Sequence, residues 1–185
     1  GKLQVGEFSS IIGLIKRAQR TYGRIFTVSG VIAGFRKTAL ERVGFWSPDK
    51  ITEDIDISWK IQIDKWKIHY VPNALCYIYM PETFSGLWKQ RVRWAQGGVE
   101  VLKTYLPKMF SFKMMGMWPV AIECMLSVIW SYLILLIVFL FLTGLFIDYP
   151  TGWQIKSLMP QWYGVILAIT CLVQFFISLW IDKRY

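Results

Sequence analysis

The sequence predicts an α/β domain, followed by an interfacial helix and two transmembrane helices. Three observations support this prediction. Apolar residues alternate between helical and strand-like spacing over residues 1–98, as they do in α/β domains. Two long uncharged apolar runs follow that domain. The net charge of +9 lies entirely ahead of them, since residues 1–117 hold 18 Lys and Arg against 9 Asp and Glu, and residues 118–185 hold three of each kind.

Within the α/β domain, the spacing of apolar side chains separates helices from strands. Three helices are predicted where apolar residues recur every three or four positions, at 9–22, 38–43 and 54–66. Gly23 and Gly44 follow the first two as stop signals. Three strands are predicted from short apolar runs, at 25–35, 67–70 and 74–80. Pro72 separates the last two.

The segment 99–117 connects this domain to the apolar tail. Apolar side chains alternate there with Lys103, Lys108 and Lys113, which is typical of an amphipathic helix lying in the headgroup layer of a membrane. Pro107 is expected to bend or interrupt this helix. We therefore predict an interfacial helix that tethers the domain to the bilayer.

The tail, residues 118–185, contains two candidate membrane spans. Residues 124–147 carry no ionisable group except Tyr132 and a cysteine thiol, and 24 helical residues exceed the length that a bilayer core requires. We assign spans to 118–147 and 162–181, joined by an extracytoplasmic loop at 148–161, with a short cytoplasmic end at 182–185. A buried helical hairpin in a soluble protein is the alternative explanation.

The charge distribution indicates the side of the membrane and the partners. Cationic residues are enriched on the cytoplasmic side of membrane proteins, so residues 1–117 are expected in the cytoplasm. A basic face of this kind attracts anionic lipid headgroups and anionic nucleotide sugars. Nucleic acid is the common alternative for a basic chain. Because the charge lies beside apolar spans, we expect the lipid bilayer as a partner and no nucleic acid.

Two adjacent carboxylates, Glu53 and Asp54, are candidates for general-base chemistry. A carboxylate within hydrogen-bond reach of a hydroxyl can take its proton as the oxygen attacks an electrophilic carbon. Acidic residues in the first turn of a helix are also favoured by the helix dipole alone. The pair is therefore a candidate base or an ordinary helix start.

A second group, at 90–94, offers cations, an amide and an aromatic ring. Gln90, Arg93 and Trp94 share one face of a helix at spacing i, i+3 and i+4. A guanidinium and an amide can stabilise a departing diphosphate, and an indole can stack under a sugar ring. Arg91 adds a second cation, although basic residues beside a membrane also contact lipid phosphates. Together with the carboxylates, this group indicates sugar transfer from a nucleotide diphosphate.

These residues resemble the processive family 2 glycosyltransferases, which include the cellulose, chitin and hyaluronan synthases. That family pairs a Glu-Asp acid motif with Gln-x-x-Arg-Trp, as found here at 53–54 and 90–94. The wider runs at 51–60, 80–83 and 86–98 look like the bacterial poly-β-1,6-N-acetylglucosamine synthases. The resemblance covers residues 1–117 and continues more loosely into the tail.

The resemblance implies roles for individual residues. Asp54 matches the general base, and Glu53 accompanies it. Gln90, Arg91, Arg93 and Trp94 match the motif for the diphosphate and the acceptor end. Ser29 and Gly30 fall where the family places a loop beside the acceptor sugar, although a Ser-Gly pair after an apolar run is also an ordinary strand end.

The implied fold is the C-terminal half of a GT-A-like domain in a bacterial inner-membrane enzyme. The implied reaction extends a β-1,6-linked N-acetylglucosamine polymer of biofilm matrix from UDP-N-acetylglucosamine, with coupled export. The resemblance also leaves room for a small membrane partner subunit. Other synthases of the family, of hyaluronan, chitin or cellulose type, remain an alternative, as does a non-catalytic membrane adaptor or channel fragment.

The donor half of the family's domain is missing from this sequence. No Asp-x-Asp motif precedes Thr52, and the chain does not begin with Met. We therefore expect a C-terminal fragment that is inactive alone. A divalent metal, Mg or Mn, is expected in the full-length enzyme, with ligands outside this chain. His69 and the three cysteines show no metal-ligand spacing.

Overall fold

The computed structural model describes residues 2–21, 23–108, 110–112, 114–155, 157 and 162–182. The described residues form seven α-helices: α1 (Lys2–Phe8), α2 (Lys16–Thr21), α3 (Lys37–Val43), α4 (Glu53–Ile63), α5 (Phe84–Tyr105), α6 (Trp118–Thr143) and α7 (Trp162–Asp182). A π-helical segment, Ser9–Ile15, joins α1 to α2, and 3₁₀ turns occupy Leu106–Lys108 and Met115–Met117.

The N-terminal helix is longer than predicted and packs against α7. It begins before the predicted start at residue 9, and its predicted end at Tyr22 lies outside the described residues. The π segment packs against α7. Nearby, a Cβ added at Gly6 would lie 2.7 Å from the ring of Phe175, so the two helices touch closely at this glycine.

The predicted strands at 25–35, 67–70 and 74–80 do not form among the described residues, which contain only one isolated antiparallel bridge, between Ser29 and Ile32. The α/β prediction is therefore not confirmed. Side chains of α4 take the hydrogen bonds that a neighbouring strand would otherwise make. Gln62 bonds both the N–H (2.9 Å) and the C=O (2.7 Å) of Ile25, and Ser58 Oγ accepts from the N–H of Val28 (2.9 Å).

The observed helix α5 crosses the predicted boundary between the domain and the interfacial helix. Thr83 caps its start by accepting a hydrogen bond from the N–H of Gly86 (3.1 Å). The helix then runs unbroken for 22 residues to Tyr105. The predicted separate helix at 99–117 was therefore wrong in its extent: residues 99–105 continue α5, and Pro107 lies in a 3₁₀ turn. Met109 and Lys113 lie outside the described residues.

The main hydrophobic core forms where α4, α5 and the start of α6 meet. Trp59 is fully buried and stacks on Tyr105 with ring centroids 5.5 Å apart. Met114, Met117 and Val120 complete this cluster. A second, smaller cluster joins α3 to the other side of α4, through Leu40, Ile57 and Ile61. Because α4 is packed on both sides, its N-terminal end is fixed relative to α5.

Two segments are long and apolar enough to cross a membrane, by length and composition: Met115–Thr143 and Gly164–Ile181. They overlap the spans predicted at 118–147 and 162–181, which stay predictions. Glu123, near the start of α6, is held by Gln19, whose Nε2 donates to both carboxylate oxygens at 3.2 and 3.0 Å. Lys156, residues 158–161 and residues 183–185 lie outside the description, as do the side chains of Trp162, Tyr163 and Asp182.

Candidate active site

Glu53 and Asp54 form the first turn of α4. The side chain of Thr52 makes no capping hydrogen bond at this helix start. Instead, Asp54 Oδ1 accepts a hydrogen bond from the N–H of Ile55 at 2.9 Å. The carboxylates also lie at the positive end of the helix dipole, which favours their charged form. Glu53 is exposed, and Asp54 is half-buried.

The Asp54 carboxylate faces a cavity of about 290 Å³. Four of the predicted site residues line it, Ser29, Gly30, Glu53 and Asp54. The rest of the lining is mainly apolar: Val28, Val31, Ala33, Phe35, Trp46 and Ile57. A Cβ added at Gly30 would lie 3.3 Å from Asp54 Oδ2, so the glycine backbone passes directly beside the carboxylate. The cavity thus combines apolar side chains with polar surface around the Asp54 carboxylate.

The pKa of Asp54 is raised above its ordinary value. Burial is the largest cause, because it disfavours the charged form, and the neighbouring Glu53 charge raises the pKa further. The Ile55 N–H and the Lys16 ammonium oppose this shift by stabilising the carboxylate. A carboxylate with a raised pKa is a stronger proton acceptor, which suits a general base.

Lys16 is a site residue that the sequence did not indicate. It lies at the junction of the π segment and α2, where apolar periodicity placed it on the polar face. Burial lowers its pKa, and the charge of Asp54 partly opposes that shift. In the described part of the chain, Lys16 has no ion pair within 4 Å. No signal in the sequence marks Lys16; the π-helical segment that ends just before it is visible only in the structure.

The α5 residues do not line this cavity. Trp94 is half-buried beneath the Arg91 guanidinium, whose Cζ lies 4.5 Å from the ring centroid, and Phe8 meets the indole edge-on at 6.2 Å. Arg91 also pairs with Glu7. Gln90 Oε1 is buried and has no hydrogen-bond partner within the described residues.

Arg93 is exposed, and among the described carboxylates none forms an ion pair with it. Because Arg91 is engaged by Glu7, Arg93 is the cation of this motif that can turn to an anionic ligand. The substrate-binding assignments of Gln90, Arg91, Arg93 and Trp94 stay predictions.

One packing contact and the N-terminal helix connect the α5 motif to the α4 carboxylates. Gly97, one turn after Trp94, packs against the side chain of Thr52. The N-terminal helix also spans both groups, since Phe8 contacts Trp94 and Lys16 influences Asp54. The structure therefore brings the two motifs near one another without placing them in one cavity.

Asp56, the second acid of the Asp-x-Asp lettering at 54–56, points into the core. It is 1% exposed and accepts hydrogen bonds from Tyr105 Oη (2.9 Å) and Ser47 Oγ (2.7 Å), while Lys60 Nζ lies 3.4 Å away. These contacts occupy its oxygens. Among the described residues, no three His, Cys, Asp or Glu side chains are grouped so that they could hold a metal ion.

Comparison with known proteins places this geometry in a family. The family described as "Glycosyl transferase family group 2" matches residues 2–178. The chain is 42% identical over 186 aligned residues to a poly-beta-1,6-N-acetyl-D-glucosamine synthase of Staphylococcus epidermidis, and 40% identical over 185 to one of Staphylococcus aureus. Both alignments cover all of this chain and 45% of the relative, so the chain spans less than half their length. No solved structure matches. The chain belongs to the family 2 glycosyltransferases.

Proposed function

We propose that the full-length protein is a membrane-bound, inverting, processive glycosyltransferase. It polymerises N-acetylglucosamine from UDP-N-acetylglucosamine into a β-1,6-linked exopolysaccharide and couples synthesis to export. The observation that carries the proposal is the Asp54 carboxylate, which faces a cavity beside the backbone of Gly30. The named activity of the Staphylococcus relatives supports the choice of sugar and linkage.

In this mechanism Asp54 takes the proton of the acceptor hydroxyl. The acceptor oxygen forms a bond to the anomeric carbon from the face opposite the leaving group, while the bond from that carbon to the UDP oxygen breaks. The anomeric configuration therefore inverts. The raised pKa of Asp54 makes it a better proton acceptor, and the Ile55 N–H and the Lys16 ammonium oppose the rise by stabilising the carboxylate.

The α5 motif serves the leaving group and the acceptor. Arg93 and the side-chain amide N–H of Gln90 donate hydrogen bonds to the departing diphosphate. The buried Oε1 of Gln90, which has no partner among the described residues, can accept a hydrogen bond from a sugar hydroxyl. Trp94 supports the terminal sugar of the acceptor, with its ring held by Phe8 and Arg91. Ser29, Gly30 and Glu53 shape the acceptor side of the cavity.

The divalent metal, Mg or Mn, belongs to residues outside this chain in our proposal. The described residues do not supply a ligand set, since Asp56 is engaged in the core and no other cluster of donors forms. When bound, such a metal would share the charge of the diphosphate. The steps assigned here to Asp54, Gln90, Arg93 and Trp94 do not pass through it.

We place the enzyme in a bacterial inner membrane with its catalytic part in the cytoplasm. The two long apolar helices and the excess of Lys and Arg ahead of them support this arrangement. Export would carry the polymer past α6 and α7 to the opposite side. A small membrane partner subunit is compatible with this scheme.

The central test is the substitution Asp54→Asn in membranes that carry the full-length protein. It keeps the shape of the side chain and removes the base, so polymer formation from radiolabelled UDP-N-acetylglucosamine should fall about 10²- to 10⁴-fold. Asp49→Asn, at an exposed acid outside the cavity, is the matched control and should retain activity. Undiminished polymer from Asp54→Asn would exclude Asp54 as the base.

The product itself separates the candidate functions. Digestion by a hydrolase specific for β-1,6 hexosamine linkages, but not by one specific for β-1,4 linkages, supports the proposed linkage. The opposite pattern would assign the protein to a chitin- or hyaluronan-type synthase. Absence of any polymer, with UDP-glucose and UDP-glucuronate supplied as well, would favour an adaptor or channel.

A further inference from the structure

We infer that Gly97 is a positioning residue, because its missing side chain lets α5 lie directly on Thr52 and so fixes the distance between the α5 motif and the Asp54 carboxylate. This inference rests on the proposed function. Gly97 touches no substrate atom in our scheme. It acts through the packing of α5 on the start of α4.

The contact at Gly97 leaves no room for a side chain. A Cβ added there would overlap three atoms of Thr52: Oγ1, Cγ2 and Cβ. Thr52 is itself only 6% exposed, and its Oγ1 is buried without a hydrogen-bond partner among the described residues. The threonine is therefore enclosed by its surroundings and cannot move aside easily. Interiors packed this tightly transmit small displacements.

Displacement at this contact would reach both motifs. Thr52 immediately precedes α4, and its carbonyl accepts the N–H of Asp56 (3.3 Å) as the helix begins. Asp54 is two residues further along. On the other side, Gly97 lies one helical turn after Trp94 and Arg93. Separating the two backbones would thus move the base relative to the groups that hold the diphosphate and the acceptor.

The neighbouring glycine provides a matched control. Gly98 is buried in the same helix, but a Cβ added there would lie 3.9 Å from the ring of Phe26, which is an ordinary contact. Gly97→Ala and Gly98→Ala therefore gain the same helix propensity. They differ in whether the added methyl group collides with Thr52.

The collision can be relieved from the other side. Thr52→Gly removes all three Thr52 atoms that the new methyl group would overlap. It should preserve the helix start, because Thr52 makes no side-chain capping bond and glycine is well tolerated at N-cap positions. The double variant Thr52→Gly/Gly97→Ala is therefore the rescue.

The experiment measures kcat and KM for UDP-N-acetylglucosamine in membranes carrying the full-length protein, normalised to folded enzyme, and the thermal unfolding midpoint of the purified protein. We expect Gly97→Ala to lower kcat about 100-fold, as for an ångström-scale misplacement of reacting groups. KM should change less than kcat, because the hydrogen bonds of Gln90 and Arg93 to the diphosphate strengthen as negative charge develops in the transition state. Gly98→Ala should resemble wild type, and the double variant should recover most of the lost kcat.

Three results would overturn the inference. Gly97→Ala could be as active as Gly98→Ala. The double variant could fail to recover kcat. Gly97→Ala could lower only the unfolding midpoint, with kcat per folded molecule unchanged, which would make the glycine structural.

If wild-type membranes make no polymer, the proposed function fails and the contact is judged by unfolding alone. A midpoint lower in Gly97→Ala than in Gly98→Ala, and recovered in the double variant, would then uphold the contact between Gly97 and Thr52. Equal midpoints for the two single variants would overturn it.

Discussion

Asp54 combines partial burial with charges of both signs. Burial and the Glu53 carboxylate raise its pKa, whereas the Ile55 N–H and the Lys16 ammonium lower it. The balance matters because a base must be charged at working pH and still be a good proton acceptor. Lys16 is the one of these groups that comes from a distant part of the sequence, so it is the informative residue to change.

Replacing Lys16 by Met should raise the pKa of Asp54 further, because the neutral side chain no longer stabilises the carboxylate. A higher pKa leaves more Asp54 protonated at acidic pH, so the acidic limb of the pH profile of kcat/KM should move to higher pH. Activity should fall several-fold on that limb and recover in alkaline buffer.

Lys67→Met is the control for Lys16, because Lys67 is an exposed lysine of the same chain. Its pH profile should superimpose on that of wild type. A profile of Lys16→Met that moves to lower pH, or does not move at all, would show that the ammonium does not act on the base.

Four of the residues that line the cavity could be named from the sequence, but the distant residues that contact or influence the site could not. Ser29, Gly30, Glu53 and Asp54 were named by resemblance, and all four line one cavity. Lys16 was missed because its contribution depends on how the N-terminal helix folds back. The pairing of Arg91 with Glu7 is equally invisible, since 84 positions separate the two residues.

The helix α4, and not the predicted sheet, holds the segment that lines the cavity. Its side chains Ser58, Trp59 and Gln62 bond the backbone of residues 25–28, which leads into Ser29 and Gly30. Apolar residues at 25–35 suggested a strand. Their β-propensity reflects how well side chains fit a pleated surface, and it does not identify a partner strand. Among the described residues no such partner is present, so helix side chains satisfy these groups.

Gln62→Leu should therefore destabilise the protein strongly. Gln62 is 1% exposed and bonds the N–H and C=O of Ile25 and the C=O of Ser58. Leaving buried groups unpaired costs roughly 1–3 kcal/mol each, so we expect a loss of about 3 kcal/mol in the free energy of unfolding, measured by denaturant titration of the purified protein. Gln96→Leu, at an exposed glutamine of α5, should be nearly neutral. Equal losses in both variants would contradict this role.

Helix ends were predictable where local chemistry sets them. α3 ends at Val43 as predicted, because Gly44 adopts φ 75°, a conformation that glycine tolerates. α4 ends three residues earlier than predicted, where Lys65 takes φ 68°. α5 ends at Tyr105, two residues before Pro107, because proline has no N–H to continue the helical hydrogen bonds. The apolar pattern at 99–117 did not show that this helix begins at Phe84.

At the scale of the whole molecule, the arrangement of α6 and α7 predicts a topology. With Cys124 and Cys171 replaced by alanine, a membrane-impermeant maleimide should label Cys76, which is exposed, only after spheroplasts are permeabilised. In a Cys76→Ala background, Thr151→Cys, in the exposed loop between the helices, should be labelled in intact spheroplasts. The reverse pattern would place the cavity outside the cell, and labelling of both sites only after permeabilisation would exclude a spanning hairpin.

Gln19 hydrogen-bonds both the start of α6 and the backbone segment that leads to the cavity. Its Nε2 holds the Glu123 carboxylate at the head of α6, and its Oε1 accepts the N–H of Phe26 (3.0 Å), four residues before Gly30. Phe26 is in turn bonded through its C=O to Trp59 of α4 (3.2 Å). The single side-chain amide of Gln19 therefore couples these two regions. If α6 tilts in a thinner or thicker bilayer, either its hydrogen bonds break or the backbone that leads to Gly30 and Asp54 moves with it.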